Sequence, residues 1–252
     1  MARKVLITAG ASGIGLEIAR AFFAAGDRVF ICDIDVAGLA RAEAEMPGVR
    51  SAACDVADRG QVATMVAGAV EALGGLDVLV NNAGIGGPTV PVEEYDPEAW
   101  DQVLRVNLTG SFDVTRLAIP HLKRSAAGSI IMMSSAAGRF GYANRSAYCA
   151  TKWALIGLAK TLAMELGEYG IRANAILPGA VEGDRAQRVF EGRAKQSGRS
   201  IEDIRAEAMR VTSIKRLVDP RDIAALAVFL ASDAAKSISG QMIPIDNDMH
   251  KA

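Results

Sequence analysis

The sequence is poor in the residues that build disulfide scaffolds and metal sites. It has three cysteines in 252 residues, Cys32, Cys54 and Cys149, and their spacing fits neither a disulfide framework nor a metal motif. Cys32 and Cys54 fall in apolar runs, which favours buried hydrophobic side chains. Of the two histidines, His121 ends a predicted helix, where a cation is an ordinary dipole partner, and His250 lies near the chain end. We therefore predict no metal site and no catalytic histidine.

The sequence also lacks an excess of charge of either sign. Its formal net charge is −1 at pH 7, which gives no reason to expect nucleic acid or an anionic membrane surface as a partner. It has no apolar run of membrane-spanning length and no signal-peptide pattern at its N-terminus. From these absences we expect a soluble cytoplasmic protein. The hydrophobic content of 50% is enough for one large core.

Short apolar runs recur along the chain and alternate with helical patterns. Most runs do not alternate polar and apolar residues, as expected for strands covered on both faces. This alternation predicts an α/β fold: a single-domain, doubly wound parallel sheet (Rossmann-like) with helices on both faces, spanning residues 1–252. Pro244 places the last strand at an edge. The strand-like runs are 5–7, 29–32, 49–54, 78–80, 130–133, 173–177 and 242–245, and the helical segments are 13–25, 36–46, 59–73, 96–123, 147–169 and 221–231.

A glycine-rich turn follows the first predicted strand. Residues 9–15 contain Gly10, Gly13 and Gly15, and a helical pattern starts within them. Such a turn lets the backbone approach a pyrophosphate, to which the helix N-terminus offers free N–H groups. Asp33 ends the second apolar run, where a carboxylate can accept hydrogen bonds from the adenosine ribose. The alternative is a turn that is merely tight, with Asp33 as a helix cap.

Tyr148 and Lys152 form a second candidate site with Ser135. Residues four apart lie on one face of a helix, and a lysine ammonium there favours the phenolate of the tyrosine. Such a phenol can pass a proton to or from a carbonyl or alcohol oxygen, to which Ser135 can donate a second hydrogen bond. The alternative is a solvated helix face.

In these motifs the chain resembles the short-chain dehydrogenase/reductase family. The motifs that carry the resemblance are residues 8–15, 55–56, 81–84, 107, 135, 148–152 and 178–179. The resemblance implies a catalytic tetrad of Asn107, Ser135, Tyr148 and Lys152. In it, Asn107 holds a helix kink and a water that links Lys152 to solvent. The implied cofactor-binding residues are Gly10, Ser12, Gly13, Ile14, Gly15, Asp33, Asp55, Val56, Asn82, Ala83, Gly84, Tyr148, Lys152, Pro178, Gly179 and Val181.

The resemblance extends to a lid and an assembly. It implies that residues 180–213 form a substrate lid. It also implies that the helix at 96–123 and the Tyr148 helix build a dimer interface, usually within a homotetramer. The chain departs from the family at Ala9, where glycine is usual and where Gly10 is expected to take over the turn. No threonine follows Pro178-Gly179, and residues 247–248 lack the glycines that are more usual there.

Together these features predict an NAD-dependent oxidoreductase that interconverts a secondary alcohol and a ketone, with Tyr148 as general acid/base. NAD is expected because Asp33 would repel a ribose 2′-phosphate and because Ser12 and Ile34 stand where basic residues would bind it. Two alternatives stay open: a nicotinamide-dependent epimerase or dehydratase, and a non-catalytic dinucleotide-binding sensor. Four arginines, Arg139, Arg145, Arg185 and Arg188, allow an anionic substrate, unless they are solvated or paired with Glu182, Asp184 and Glu191.

Overall fold

The computed structural model describes residues 2–250, apart from the side chain of Arg185, which lies outside the described part. Seven strands form one parallel sheet in the order β3-β2-β1-β4-β5-β6-β7, which confirms the predicted doubly wound α/β fold. β7 is an edge strand, as Pro244 predicts. The strands are β1 (Lys4–Thr8), β2 (Arg28–Asp33), β3 (Arg50–Ala53), β4 (Val78–Asn81), β5 (Ser129–Met133), β6 (Arg172–Pro178) and β7 (Met242–Ile245).

Helices cover both faces of the sheet. They are α1 (Gly13–Ala24), α2 (Val36–Glu45), α3 (Arg59–Leu73), α4 (Pro97–Leu104), α5 (Gly110–Leu122), α6 (Ser146–Leu166), α7 (Asp184–Ser197), α8 (Ile201–Arg210) and α9 (Pro220–Leu230). Successive strand side chains point to opposite faces, so Leu6 packs with α3, α5 and α6, whereas Val5 and Ile7 pack with α1, α2 and α9. This double coverage explains why the strands read as continuous apolar runs.

The segment predicted as one helix over 96–123 is interrupted. α4 and α5 are joined by a π turn at Arg105–Thr109, in which the N–H of Gly110 donates to the carbonyl of Arg105. Asn107 lies inside this turn, and its own carbonyl accepts a hydrogen bond of 2.9 Å from Ser111 Oγ. A π turn widens the helix locally, so the hydrophobic pattern continues while the direction of the side chains changes.

The turn after β1 corrects the expectation for Gly10. Ala9 itself adopts the left-handed conformation, with φ of 52°, and Gly10 does not. Gly10 is required for space, because a Cβ there would lie 2.7 Å from the Cβ of Ile31. The alanine therefore keeps the backbone strain that a glycine at position 9 would not have.

Candidate active site

The N-terminus of α1 faces the carboxyl end of the sheet. Gly13 has φ of 53°, and a Cβ there would meet no atom within 4 Å, so the space above the turn is open. Gly15, in contrast, has no space for a side chain, since a Cβ there would lie 2.0 Å from the carbonyl oxygen of Ala9. Ser12 precedes the helix and makes no side-chain capping hydrogen bond. The first N–H groups of α1 thus border open space, which is the arrangement that binds anionic groups.

Asn82, which directly follows the neighbouring strand β4, stabilises this turn by hydrogen bonds. Its Nδ2 donates to the carbonyl oxygens of Thr8 (3.1 Å) and Ala9 (3.0 Å). In return, Thr8 Oγ1 accepts hydrogen bonds of 3.0 Å from the N–H groups of Asn82 and Ala83. Our sequence reasoning gave Thr8 no role. No local pattern could reveal it, because its partners lie more than 70 residues away in sequence.

Asp33 lies at the end of β2, beside the glycine turn. Its two carboxylate oxygens each accept a hydrogen bond of 3.1 Å, one from the N–H of Ala11 and one from that of Asp35. The cap of α2 is Asp35, which accepts from the N–H of Gly38, so Asp33 is not the helix cap. Ile34, next to Asp33, is 73% exposed. The rim at the end of β2 therefore presents a carboxylate and an apolar side chain.

Two further segments border the same end of the sheet. Asp55 follows β3, and its Oδ1 accepts a hydrogen bond of 2.9 Å from the N–H of Ala57. Val56 is buried, and Gly110 fits against its carbonyl, from which a Cβ would be 2.7 Å away. At the end of β6, Gly179 packs against Asp246, whose Cα would be 2.8 Å from a Cβ.

Lys152 is held in place by burial and by a hydrogen bond to the end of β5. It is only 3% exposed, and its Nζ donates a hydrogen bond of 2.7 Å to the carbonyl oxygen of Met133 at the end of β5. The Nζ also lies 5.6 Å from the centre of the Tyr148 ring. Ser134 Oγ donates to the carbonyl of Lys152 (2.7 Å), which fixes α6 to β5. A buried ammonium is therefore held beside a half-buried phenol.

Asn107 and Gly84 complete the surroundings of the ammonium. A Cβ on Gly84 would lie 3.3 Å from Lys152 Nζ and 3.2 Å from Asn107 Oδ1, so both polar groups converge on this glycine. The side chain of Asn107 is fixed by Ile85, whose N–H donates to Oδ1 (2.7 Å) and whose carbonyl accepts from Nδ2 (3.0 Å). Nδ2 also donates to Thr151 Oγ1 (3.0 Å), a residue inside the Tyr148 motif to which the sequence pattern assigned no role.

Ser135 follows Ser134 and begins a short 3₁₀ turn. It is half-buried, and its Oγ accepts a hydrogen bond of 3.1 Å from the N–H of Ala137. The hydroxyl proton is therefore directed elsewhere, because a serine that accepts one hydrogen bond still has a donor. Ser135 lies two residues after β5, Asn107 lies in the π turn, and Tyr148 and Lys152 lie on α6.

The loop before α6 carries two of the four arginines. The guanidinium carbon of Arg145 lies 4.8 Å from the centre of the Tyr148 ring. The Nη1 of Arg139 lies 3.9 Å from the buried carboxylate of Asp246. Its acidic neighbour is therefore Asp246 and not one of the expected partners, Glu182, Asp184 and Glu191. Arg188 is exposed on α7.

Tyr142 donates to the sulfur of Met249, and burial raises the pKa of Tyr142 to about 12.

The segment after β6 forms two helices with a small core of their own. Phe190, Ala194 and Ile204 are buried between α7 and α8. The end of this segment is fastened to the chain terminus, because the N–H of Ser213 donates to the carbonyl of Asn247 (3.0 Å). Asn247 and Asp248 have φ of 60° and 56°, at the positions where the family more often has glycines.

Residues 2–250 contain no group of three or more His, Cys, Asp or Glu side chains that could hold a metal ion. Within the same range, none of the helices is long and apolar enough to cross a membrane.

A match over nearly the whole chain identifies the family. A family model described as Enoyl-(Acyl carrier protein) reductase matches residues 8–250. The chain belongs to the short-chain dehydrogenase/reductase family. It is therefore an oxidoreductase that acts on a small molecule.

Individual members of this family are similar over the same length. The chain is 36% identical over 249 residues to D-beta-hydroxybutyrate dehydrogenase of Cupriavidus necator, covering 97% of this chain and 96% of the relative. The solved structure of NAD⁺-bound xylitol dehydrogenase matches with a TM-score of 0.92 and 30% identity, covering 96% of each chain. That of an actinorhodin polyketide ketoreductase variant with NADPH matches with a TM-score of 0.92 and 33% identity, covering 98% of each chain. By their names, these relatives are two dehydrogenases and one ketoreductase.

Proposed function

We propose that the protein is an NAD-dependent dehydrogenase that interconverts a secondary alcohol and a ketone, with Tyr148 as the general acid/base. The observation that carries this proposal is the position of Lys152, whose buried ammonium is fixed on the Met133 carbonyl beside the Tyr148 ring. Holding a buried ammonium costs free energy unless it is hydrogen-bonded. A cation held in this way favours the deprotonated form of the neighbouring phenol and so prepares it for proton transfer.

The roles of the other site residues follow from their surroundings. Tyr148 takes the hydroxyl proton of the alcohol, or returns it to the ketone oxygen. Ser135 retains a hydroxyl proton that can be donated to that oxygen, since its own oxygen accepts from the Ala137 N–H. Asn107 positions α6 through Thr151, which in turn donates to the carbonyl of Tyr148 (2.8 Å).

The glycine turn and the ends of the neighbouring strands fit a nicotinamide dinucleotide. When bound, the nicotinamide ring accepts or supplies the hydride. The open space at Gly13 and the uncapped start of α1 suit the pyrophosphate. Asp33 suits the adenosine ribose hydroxyls. The remaining proposed cofactor-binding residues are Gly10, Ser12, Ile14, Gly15, Asp55, Val56, Asn82, Ala83, Gly84, Tyr148, Lys152, Pro178, Gly179 and Val181.

We propose NAD rather than NADP because of the rim at the end of β2. Asp33 would face the 2′-phosphate of NADP with a like charge. The neighbouring exposed side chains, Ile34 and Val36, cannot offset that charge. The names of the matched structures include both cofactors, so the preference rests on this rim. A change of Asp33 to Ala should weaken NAD binding and bring the efficiencies with the two cofactors closer together.

The test is a screen of secondary alcohols and ketones, followed by NADH absorbance in both directions and repeated with NADP. We expect turnover with NAD and a lower kcat/KM with NADP. Equal or better efficiency with NADP would contradict the cofactor preference. Substrate conversion without net cofactor reduction would indicate an epimerase or dehydratase. Tight NAD binding without conversion of any substrate would indicate a sensor.

We further propose that residues 1–252 act as one domain, with residues 180–213 as the substrate lid. The support is that α7 and α8 bury a core of their own, Phe190 and Ile204 included, rather than contributing to the two cores of the sheet. Segments with few contacts to the main core open at lower free energy than the rest of a protein. Such a lid can exclude water from the reacting groups.

A further inference from the structure

The chain makes a tight turn after β7, which we call the C-terminal turn (Asp246–Met249). Asp246 is 5% exposed, and its Oδ1 accepts a hydrogen bond of 3.3 Å from the N–H of Met249, which is also buried. The two residues between them, Asn247 and Asp248, both have a left-handed backbone, with φ of 60° and 56°. Two such residues in succession are unfavourable without glycine, so contacts with the rest of the protein must hold this turn in place.

The C-terminal turn contacts the loop that follows Ser135. Ser135 and Arg139 flank the short 3₁₀ turn after β5, and the Nη1 of Arg139 lies 3.9 Å from Asp246 Oδ2. Three residues further on, Tyr142 donates a hydrogen bond of 3.1 Å to the sulfur of Met249. Because a thioether is a weak acceptor, we expect the contact between the two charges to be the stronger of these links.

The same turn also holds the end of the proposed lid. The N–H of Ser213 donates to the carbonyl of Asn247 (3.0 Å), and Ser213 Oγ donates to Asp248 Oδ2 (2.6 Å). The residue after the turn, His250, donates its N–H to the carbonyl of Val211 (2.7 Å). Val211 and Ser213 lie just after α8, the second helix of this segment. The C-terminal turn is therefore bonded both to the end of the lid and to the loop after Ser135.

The carboxylate of Asp246 depends on Arg139 for its countercharge. Its Oδ2 is buried, and within residues 2–250 it has no hydrogen-bond partner. The guanidinium paired with it belongs to a side chain that is 46% exposed. A buried carboxylate is costly without a countercharge, whereas water can solvate the exposed arginine if the carboxylate is removed. Loss of the arginine should therefore disturb the turn more than loss of the aspartate charge does.

We propose that the C-terminal turn couples closure of the lid to the alignment of Ser135, with Asp246 and Arg139 as positioning residues for the reaction. This inference rests on the proposed function, in which Ser135 donates to the reacting oxygen and residues 180–213 form the lid. Displacing the loop after Ser135 lowers kcat, because a small error in the position of a group that contacts the reacting atoms is costly. NAD binding should be largely retained, since the glycine turn and Asp33 belong to β1 and β2, in the opposite half of the sheet from β7.

The kinetic experiment compares Arg139→Gln, Asp246→Asn and the double variant, with the secondary alcohol that has the highest kcat/KM in the screen proposed above. Arg139→Gln should lower kcat about 10- to 100-fold, because it leaves the buried carboxylate unpaired. Asp246→Asn keeps the shape of the side chain and should have a smaller effect, and the double variant should be no worse than Asp246→Asn alone. Arg139→Lys keeps the charge and should restore most of kcat. The Kd for NAD should stay nearly unchanged in all four proteins.

Arg59→Gln is the matched control. Arg59 is also an exposed arginine on a buried aspartate, since its Nε lies 3.0 Å from Asp113 Oδ2, but it joins α3 to α5. Its loss should lower stability to urea without lowering kcat. An equal fall in kcat for Arg59→Gln and Arg139→Gln would show that general destabilisation is the cause and would overturn the positioning role. Simple addition of the effects of Arg139→Gln and Asp246→Asn in the double variant would overturn the pairing.

Hydrogen exchange of the NAD⁺ complex tests the coupling without turnover. Arg139→Gln should speed exchange both in residues 139–142 and in residues 211–214, since both segments are held by the same turn. Ser213→Ala removes a hydrogen bond on the lid side only, and it should also speed exchange in residues 139–142. Faster exchange in only one of the two segments, or an unchanged kcat in Arg139→Gln, would overturn the coupling. If no alcohol is turned over while both segments still respond together, the proposed function is wrong and the coupling stands.

Discussion

At the scale of single residues, Gly15 is the position where the glycine turn tolerates least change. A Cβ there would lie 2.0 Å from the Ala9 carbonyl oxygen and 2.5 Å from Asn82 Nδ2. We expect Gly15→Ala to force α1 away from the turn, to destabilise the fold by at least about 2 kcal/mol and to abolish tight dinucleotide binding. Urea unfolding and NAD titration measure the two effects.

The same substitution at Gly68 serves as the matched control. Gly68 lies inside α3, and a Cβ there would meet no atom within 4 Å. Gly68→Ala should therefore stabilise the protein by about 0.5–1 kcal/mol through helix propensity alone. If Gly15→Ala behaves like Gly68→Ala, the close approach of α1 to the turn is wrong.

Tyr148 and Tyr142 are two tyrosines on the same side of the site with different expected roles. Tyr148→Phe keeps the ring and removes the proton donor, so turnover should fall about 10²–10⁴-fold without loss of stability. Burial raises the pKa of Tyr142 to about 12, so this phenol stays protonated near neutral pH and is poorly matched to proton transfer there. Tyr142→Phe should therefore retain most of the activity. Steady-state kinetics of the two variants decide the assignment, which fails if Tyr142→Phe is the inactive one.

At the scale of elements, the π turn and α6 are joined by one buried hydroxyl. Asn107 Nδ2 donates to Thr151 Oγ1, and both side chains are fully buried. Thr151→Val keeps the shape and removes the acceptor, which should cost about 1–3 kcal/mol and lower kcat by loosening Asn107. Thr151→Ser keeps the hydroxyl and should behave nearly as the unmodified protein does. Chemical denaturation and kcat of the two variants test the link, and equal results for Val and Ser would contradict it.

The strands could be predicted from the sequence, whereas the break between α4 and α5 could not. The five central strands are buried on both faces, and this burial leaves continuous apolar runs in the sequence. The π turn at Arg105–Thr109 leaves no such trace, because the residues on either side keep a helical pattern. Thr8 and Thr151 lie inside recognised motifs, but their roles could not be predicted for a related reason. A threonine acquires its role from a partner far along the chain, and local pattern carries no information about that partner.

The glycine turn shows the limit of motif reasoning within one element. The motif predicts the turn and its position, and the structure agrees. It does not predict which residue carries the left-handed backbone, and Gly10 was the wrong choice. The role of Gly10 depends instead on Ile31 of the neighbouring strand, whose side chain occupies the space where a Cβ at position 10 would lie. This contact between strands cannot be seen in the local motif.

At the scale of the whole molecule, several large apolar side chains are exposed. On α5 and α6, Phe112, Trp153 and Met164 are 45%, 53% and 85% exposed. On edge strand β7 and α9, Met242 and Phe229 are 51% and 42% exposed. Exposed apolar groups of this size are often covered in an assembly. An edge strand also has unpaired backbone N–H and C=O groups, which can form hydrogen bonds with another chain. We therefore propose that the protein forms the homotetramer that the family resemblance implies, with these side chains in its interfaces.

Two faces can join four identical chains, because each two-fold interface uses the same patch on both partners. We expect Trp153→Glu with Met164→Glu to leave dimers joined at the β7 edge, and Met242→Glu with Phe229→Glu to leave dimers joined through α5 and α6. Charges introduced into an apolar interface are costly to bury, so combining all four changes should give monomers. Sedimentation velocity measures each state. If the α6 variant is already monomeric while the β7 variant is unchanged, the assembly is a homodimer built on α5 and α6 alone.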